Sequence, residues 1–291
     1  MFSALAISYL CSIIYIIISI RYWKYLSFKY IKRTILKHLV AYSLPLVPNS
    51  ICWYLVSTGN RYLVVICLGV AANGVFAIAN KFALLIASAC GVFQLAWQES
   101  VIKENDSQDK TRFFSEVYVN YKRILLSIVA LSLPCIKICM PILVSDDFYE
   151  AWVYIPILLY SSVFMALASF YGAGYLSSKK TSGALWTTLY AAIINILVTI
   201  LLIHSFGLFA PCIGTMLAYI VLLYIRKKQM KSYFSIDTLD RYDRLFFVQI
   251  ILTLLMYYLI DNFILLSLLV AINLCCILFW IRKYIQIKNN K

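Results

Sequence analysis

Arg61 and Lys81 stand inside long apolar runs, on either side of the segment Gly69 to Gly74. A Lys or Arg in such a run is costly unless it faces a bundle interior or a watery cavity. Arg61 lies eight residues before Gly69 and Lys81 seven after Gly74. A turn over those residues puts both cations about 10–12 Å below the outer end of one hairpin. Two cations at one depth, with no acidic residue in the spans to neutralise them, suit an anion. Phosphate fits best, because a guanidinium binds it through two parallel hydrogen bonds. Asn49, Asn60, Asn80, Gln94 and Gln98 bring amides to the same stretch. They either contact sugar hydroxyls or bond between helices, and interhelical bonding is the plainer reading. Lys137 sits four residues before Pro141, near enough to the outer boundary for its ammonium to snorkel to water; Lys81 is open to the same reading.

Other chemistry is sparse. His204 falls in an outer turn and reads as an interfacial residue rather than a base, and Asp146, Asp147 and Glu150 form a solvated turn without a His partner. The cysteines (Cys11, Cys52, Cys67, Cys90, Cys135, Cys139, Cys212, Cys275, Cys276) lie in or beside apolar stretches. They lack the polar Cys/His spacing of a zinc site and read as small packing residues. No catalytic residue, metal or cofactor is expected, and the chain does not read as an enzyme.

The elements that must position Arg61 and Lys81 follow from composition. At 63% hydrophobic and 13% charged, the chain is far more apolar than a soluble domain. Apolar runs of about 20 residues, the length needed to cross a hydrocarbon core of roughly 30 Å, recur from end to end. The expected fold is an all-α polytopic transmembrane bundle of about nine spans: 3–20, 40–68, one from the 69–74 turn to Gln98, 123–143, 151–176, 184–203, 208–225, 245–260 and 263–281. The 40–68 run is long for one crossing, and Pro45 and Pro48 offer a kink. Of the 26 Lys and Arg, 23 fall in linkers assigned to one side and none in the opposite turns. Because Lys and Arg accumulate in cytoplasmic loops, the N-terminus is expected outside and the C-terminus inside. In the basic segment 21–38, Phe28, Ile31, Ile35 and Leu39 recur at helical spacing, as in an amphipathic helix lying on the membrane surface. The net charge of +14 punctuates the spans instead of forming one basic face, which argues against nucleic acid.

The segment Tyr42-Ser43-Leu44-Pro45-Leu46-Val47-Pro48-Asn49-Ser50, then Asn60-Arg61-Tyr62, Ala72-Asn73-Gly74-Val75-Phe76-Ala77-Ile78-Ala79-Asn80-Lys81 and Ala96-Trp97-Gln98-Glu99-Ser100, resembles the Wzx-type polysaccharide flippases. These belong to the polysaccharide transporter family of the multidrug/oligosaccharidyl-lipid/polysaccharide exporter superfamily. Ala151-Trp152, Ile155-Pro156 and Lys179-Lys180-Thr181 continue the likeness. The resemblance implies a two-lobed, alternating-access transporter in the bacterial inner membrane. Such a protein moves an undecaprenyl-pyrophosphate-linked oligosaccharide outward for O-antigen or other surface polysaccharide. It matches Arg61 and Lys81 to cations that face the central cavity and would hold the pyrophosphate, leaving amides such as Asn49, Asn60 and Gln94 as candidates to accommodate the sugar. Asn60 stands where the family commonly has Asp, which puts in doubt any coupling that needs that carboxylate.

The family usually has about 12–14 spans. On that alignment residues 1–20 correspond to the last span of a first lobe, 21–38 to the basic inter-lobe linker, 39–225 to a six-span second lobe and 226–291 to a basic loop with a final hairpin. Met1 opening into a span fits a truncated or incomplete reading frame, so the chain is expected to need a partner lobe or other polysaccharide-assembly proteins. Two rival functions remain. A multidrug/cation antiporter would want buried carboxylates in place of Arg61 and Lys81. A membrane polymerase or glycosyltransferase would want a larger extramembrane site than these short outer turns supply.

Overall fold

The computed structural model describes residues 2–21, 32–104, 110–231, 233–234, 236 and 241–289. Among them the chain is all-helical, with eleven α-helices: α1 (Phe2–Ile20), α2 (Arg33–Ser43), α3 (Leu46–Tyr54), α4 (Asn60–Leu68), α5 (Val70–Lys103), α6 (Lys110–Leu143), α7 (Ile155–Ser177), α8 (Thr181–Phe206), α9 (Phe209–Gln229), α10 (Arg241–Leu259) and α11 (Phe263–Asn289). A π-helical turn, Leu55–Gly59, joins α3 to α4, and a 3-10 segment, Asp146–Val153, precedes α7. Six stretches are long and apolar enough to cross a membrane: Arg33–Leu68, Val70–Lys103, Lys110–Leu143, Ile155–Ser177, Thr181–Phe206 and Phe209–Gln229. Shorter apolar helices run over Ala6–Ile20, Val248–Leu259 and Phe263–Phe279.

The chain divides into two compact units, Met1–Leu44 and Pro45–Lys291. The first holds α1 and α2. On α2, Ile35, Leu36, Leu39 and Val40 are all exposed, in the helical spacing the sequence shows; Phe28 and Ile31 of that expected surface helix lie outside the described residues. The second unit is a bundle in which α7 packs on α5 and α9, α9 on α8, α3 on α8, and both α10 and α11 on α6. The last hairpin is therefore part of this bundle rather than an appendage to it.

Helix ends follow local chemistry. Pro45 supplies the N-cap of α3, and Pro156 stands in the first turn of α7, where a missing N–H removes no helical bond. Gly69 (φ 90°) and Gly207 (φ 52°) make the sharp reversals α4–α5 and α8–α9, at backbone angles that only glycine adopts without strain. Val70 to Gly74, expected as part of a turn, instead form the first helical residues of α5. The small side at Gly74 receives Phe148 of the 3-10 segment, where a Cβ would lie 2.5 Å from the Phe148 ring. The reversal is thus the single residue Gly69, and the extra helical turn lengthens α5.

Aromatic packing closes the bundle where α5, α6 and α7 meet. Trp97 stacks on Phe170 at 4.1 Å between centroids and donates its Nε1–H to the Phe170 carbonyl at 3.0 Å; Phe114 and Phe234 complete the cluster. At the other end, before α7, Tyr154 donates to Glu150 at 2.9 Å. Burial, and then the Glu150 carboxylate, push the Tyr154 phenol well above its ordinary pKa, so this donor stays protonated across the physiological range. On α8, Trp186, Tyr190, Ile193, Leu197, Ile200 and Leu201 form an exposed stripe at helical spacing, as on a helix whose solvent is lipid.

Candidate functional site

The structure sorts the cations of the bundle into two kinds. Arg226, counted with the basic stretch 226–244 in the sequence, lies inside α9 and is 3% exposed. Its guanidinium donates from Nε to Thr187 Oγ1 (3.2 Å), from Nη1 to the Ala168 carbonyl (3.1 Å) and from Nη2 to Thr188 Oγ1 (2.9 Å). The rings of Trp53 and Tyr175 flank it at 5.6 and 5.9 Å. Gly172 makes the groove, since a Cβ there would lie 2.7 Å from Nη1. Every partner is neutral. One planar fork thus joins α7, α8 and α9, a geometry a lysine cannot reproduce.

Lys137 overturns the snorkelling expectation. It is 4% exposed, and its Nζ donates to the carbonyls of Tyr257 (2.6 Å) and Ile260 (2.8 Å) and pairs with Asp261 at 2.9 Å. The Trp152 ring centroid is 4.3 Å away. A cation on α6 here caps the C-terminal carbonyls of α10, the end of a helix that favours positive charge. Asn273 on α11 adds a second anchor, donating to the Ala130 carbonyl (3.0 Å) and accepting from Thr253 (3.1 Å) and Gln249 (3.1 Å).

Asn60 is buried and fully engaged. Its Nδ2, with two protons, has three acceptors in reach, Thr215 Oγ1 (2.8 Å), Asn195 Oδ1 (3.2 Å) and the Pro211 carbonyl (3.2 Å), and its Oδ1 accepts from Thr199 (3.4 Å). Asn195 Nδ2 in turn donates to the Val56 carbonyl at 3.3 Å. Val56 belongs to the π-helical turn, a local widening that recurs at functional sites. Gly214 lets α9 approach α8 here, because a Cβ would lie 2.6 Å from Thr199 Oγ1. The network joins α4, α8 and α9, so for Asn60 the interhelical reading accounts for the whole amide.

The remaining site candidates lie elsewhere. Arg61 is half-buried and Lys81 exposed, and among the described residues neither makes an ion pair or a side-chain hydrogen bond. Lys81 lines an open recess of about 450 Å³ with Ile78, Phe82, Leu85 and Ser88. With the reversal at Gly69, Arg61 is eight residues before it and Lys81 twelve after it. That is about 12 and 18 Å along their helices, so the equal depth expected from a 69–74 turn is lost by about one helical turn. Gln94 donates to the Ser169 carbonyl at 2.9 Å, while its Oε1 and the Oδ1 of half-buried Asn49 are buried without partners. Asn80 is half-buried, its amide has no protein partner among the described residues, and it lines a pocket of about 50 Å³ together with Asn60. No group of three or more metal-ligating residues occurs among the described residues.

Arg226 is the residue that sequence reasoning missed. Its neighbours Lys227 and Lys228 made it look like loop charge. The signal was present in the i, i+4 register of Leu222 and Arg226 with Ala218, which puts the arginine on the buried face of α9. No family model, curated protein or solved structure matches this chain.

Proposed function

We propose that this chain is a lobe of a flippase that carries a polyprenyl-pyrophosphate-linked oligosaccharide across a bacterial inner membrane by alternating access, with no covalent chemistry. In this reading Arg61 and Lys81 hold the pyrophosphate, polar side chains left without protein partners meet the glycan, and further helices of a partner lobe close the cavity. All nine apolar helices cross the bilayer, with the N-terminus outside and the C-terminus inside.

The observation that carries the reading is the contrast among the cations. Arg226 and Lys137 are saturated by protein partners, whereas Arg61 and Lys81 make none of these bonds. A cation within a membrane-crossing segment that the protein leaves unpaired is best explained by an anionic ligand. The resemblance of the Tyr42–Ser50 and Ala96–Ser100 segments to Wzx-type flippases supplies the substrate class. Among the described residues no carboxylate pairs with Arg61, which disfavours a cation antiporter.

The test is complementation. In a strain lacking its polysaccharide flippase, the chain co-expressed with a matching N-terminal lobe should restore surface polysaccharide. Arg61→Ala with Lys81→Ala, inserted at normal levels, should reduce export at least tenfold. Export at the parental rate by the double variant would refute the assignment.

A further inference from the structure

The pocket of about 50 Å³ is walled mainly by apolar side chains, among which Ser57, Asn60, Asn80, Ser161, Ser162 and Thr215 supply polar groups. Its hydroxyl protons are directed into protein. Ser161 donates to the Ile157 carbonyl (2.7 Å), Thr215 to the Pro211 carbonyl (2.7 Å) and Ser57 to the Tyr54 carbonyl (3.3 Å). Ser162 has the Ala83 and Leu158 carbonyls at 3.2 Å as acceptors. A hydroxyl carries one donor and two acceptor lone pairs. Ser161 and Ser162, 2% and 6% exposed, therefore offer the pocket acceptors and no donor. Asn80 adds a partner-free amide with both.

The matching guest is small, donates to one of the serine oxygens and accepts from the Asn80 Nδ2. A neutral hydroxyl does both. A cation would use the lone pairs, but no carboxylate lines the pocket and Arg61 adjoins Asn60, so the local field opposes positive charge. At about 10–15 Å³ of such space per water, the pocket accepts a group the size of a hydroxymethyl. The mouth is accessible from the bundle surface, since Ser57 and Leu84, both in the lining, are exposed.

We infer that this pocket is a subsite that takes one hydroxyl or hydroxymethyl group of the lipid-linked glycan. It rests on the proposed function. The test is binding to the full chain in phosphatidylcholine nanodiscs, with undecaprenyl pyrophosphate, its N-acetylglucosamine-bearing form and the 6-deoxy analogue as probes. The hydroxyl-bearing form should bind about fivefold tighter than the deoxy form, as one hydrogen bond of about 1 kcal/mol gives. Ser161→Ala with Ser162→Ala, or separately the pocket-filling Asn80→Leu, should bring the two forms within twofold and leave the bare carrier unaffected. A hydroxyl and a deoxy form of equal affinity in the parent, or a preference that survives both variants, would overturn the subsite and leave a hydrated pocket only. Failure of all three carriers to bind would instead overturn the proposed function.

Discussion

Arg226 and Arg61 are the same residue type in one bundle and stand in opposite situations. Arg226 has three neutral hydrogen-bond partners on two other helices and lies between two aromatic rings. Arg61 is half-buried with no such partner among the described residues. The difference separates two uses of a cation in an apolar solvent. Where the protein supplies the acceptors, the charge is a structural joint; where none is found among the described residues, the proposed use is to hold an anionic ligand. Lys137 and Lys81 repeat the contrast, one capping α10 and the other lining an open recess.

The largest effect on stability is expected at the first kind of site. Arg226→Ala leaves Thr187, Thr188 and the Ala168 carbonyl without their donors and empties the groove over Gly172. Charged hydrogen bonds are worth about 1.5–3 kcal/mol each in water-soluble proteins and less between membrane helices. A loss of about 2–4 kcal/mol is expected, read as a lowered unfolding midpoint in detergent. Arg226→Lys should recover less than half of it, because the ammonium cannot span three acceptors. An unchanged midpoint for Arg226→Ala would erase the distinction between the two arginines.

A smaller effect is expected at Lys137. Lys137→Met keeps the aliphatic stem beside Trp152 and removes the cap from α10, costing about 1–2 kcal/mol. The loss should be local. Proteolysis or hydrogen exchange should show the α10–α11 hairpin loosening before α7–α9, and uniform loosening would mean that Lys137 is not its anchor.

Much of the helical plan is legible in the sequence because the length and hydropathy of its runs set it. Apolar runs of fixed length and the prolines at 45 and 156 mark helices and their ends through backbone chemistry alone. The site is less legible, because burial depends on which face of a helix meets a neighbour. Arg226 adjoins Lys227 and Lys228 in the sequence, and only the packing of α7, α8 and α9 separates it from them. Lys137 looked near enough to water to snorkel, but its partners come from residues 257–261, more than a hundred positions away. Gly74 read as a turn residue because glycine serves turns and close contacts alike; Phe148 shows that here it serves a contact. Among the described residues Arg61 and Lys81 make no ion pair or side-chain hydrogen bond, while the equal depth expected of them was not retained.

The most direct measurement is the affinity of the purified chain, in phosphatidylcholine nanodiscs, for undecaprenyl pyrophosphate against undecaprenol, for the parent and for Arg61→Ala with Lys81→Ala. If the unpaired cations await a pyrophosphate, the parent prefers the pyrophosphate by at least about tenfold, as one charge-assisted hydrogen bond alone would give. The double variant should lose that preference with its unfolding midpoint unchanged. A preference of equal size in both proteins, or none in the parent, would contradict the account.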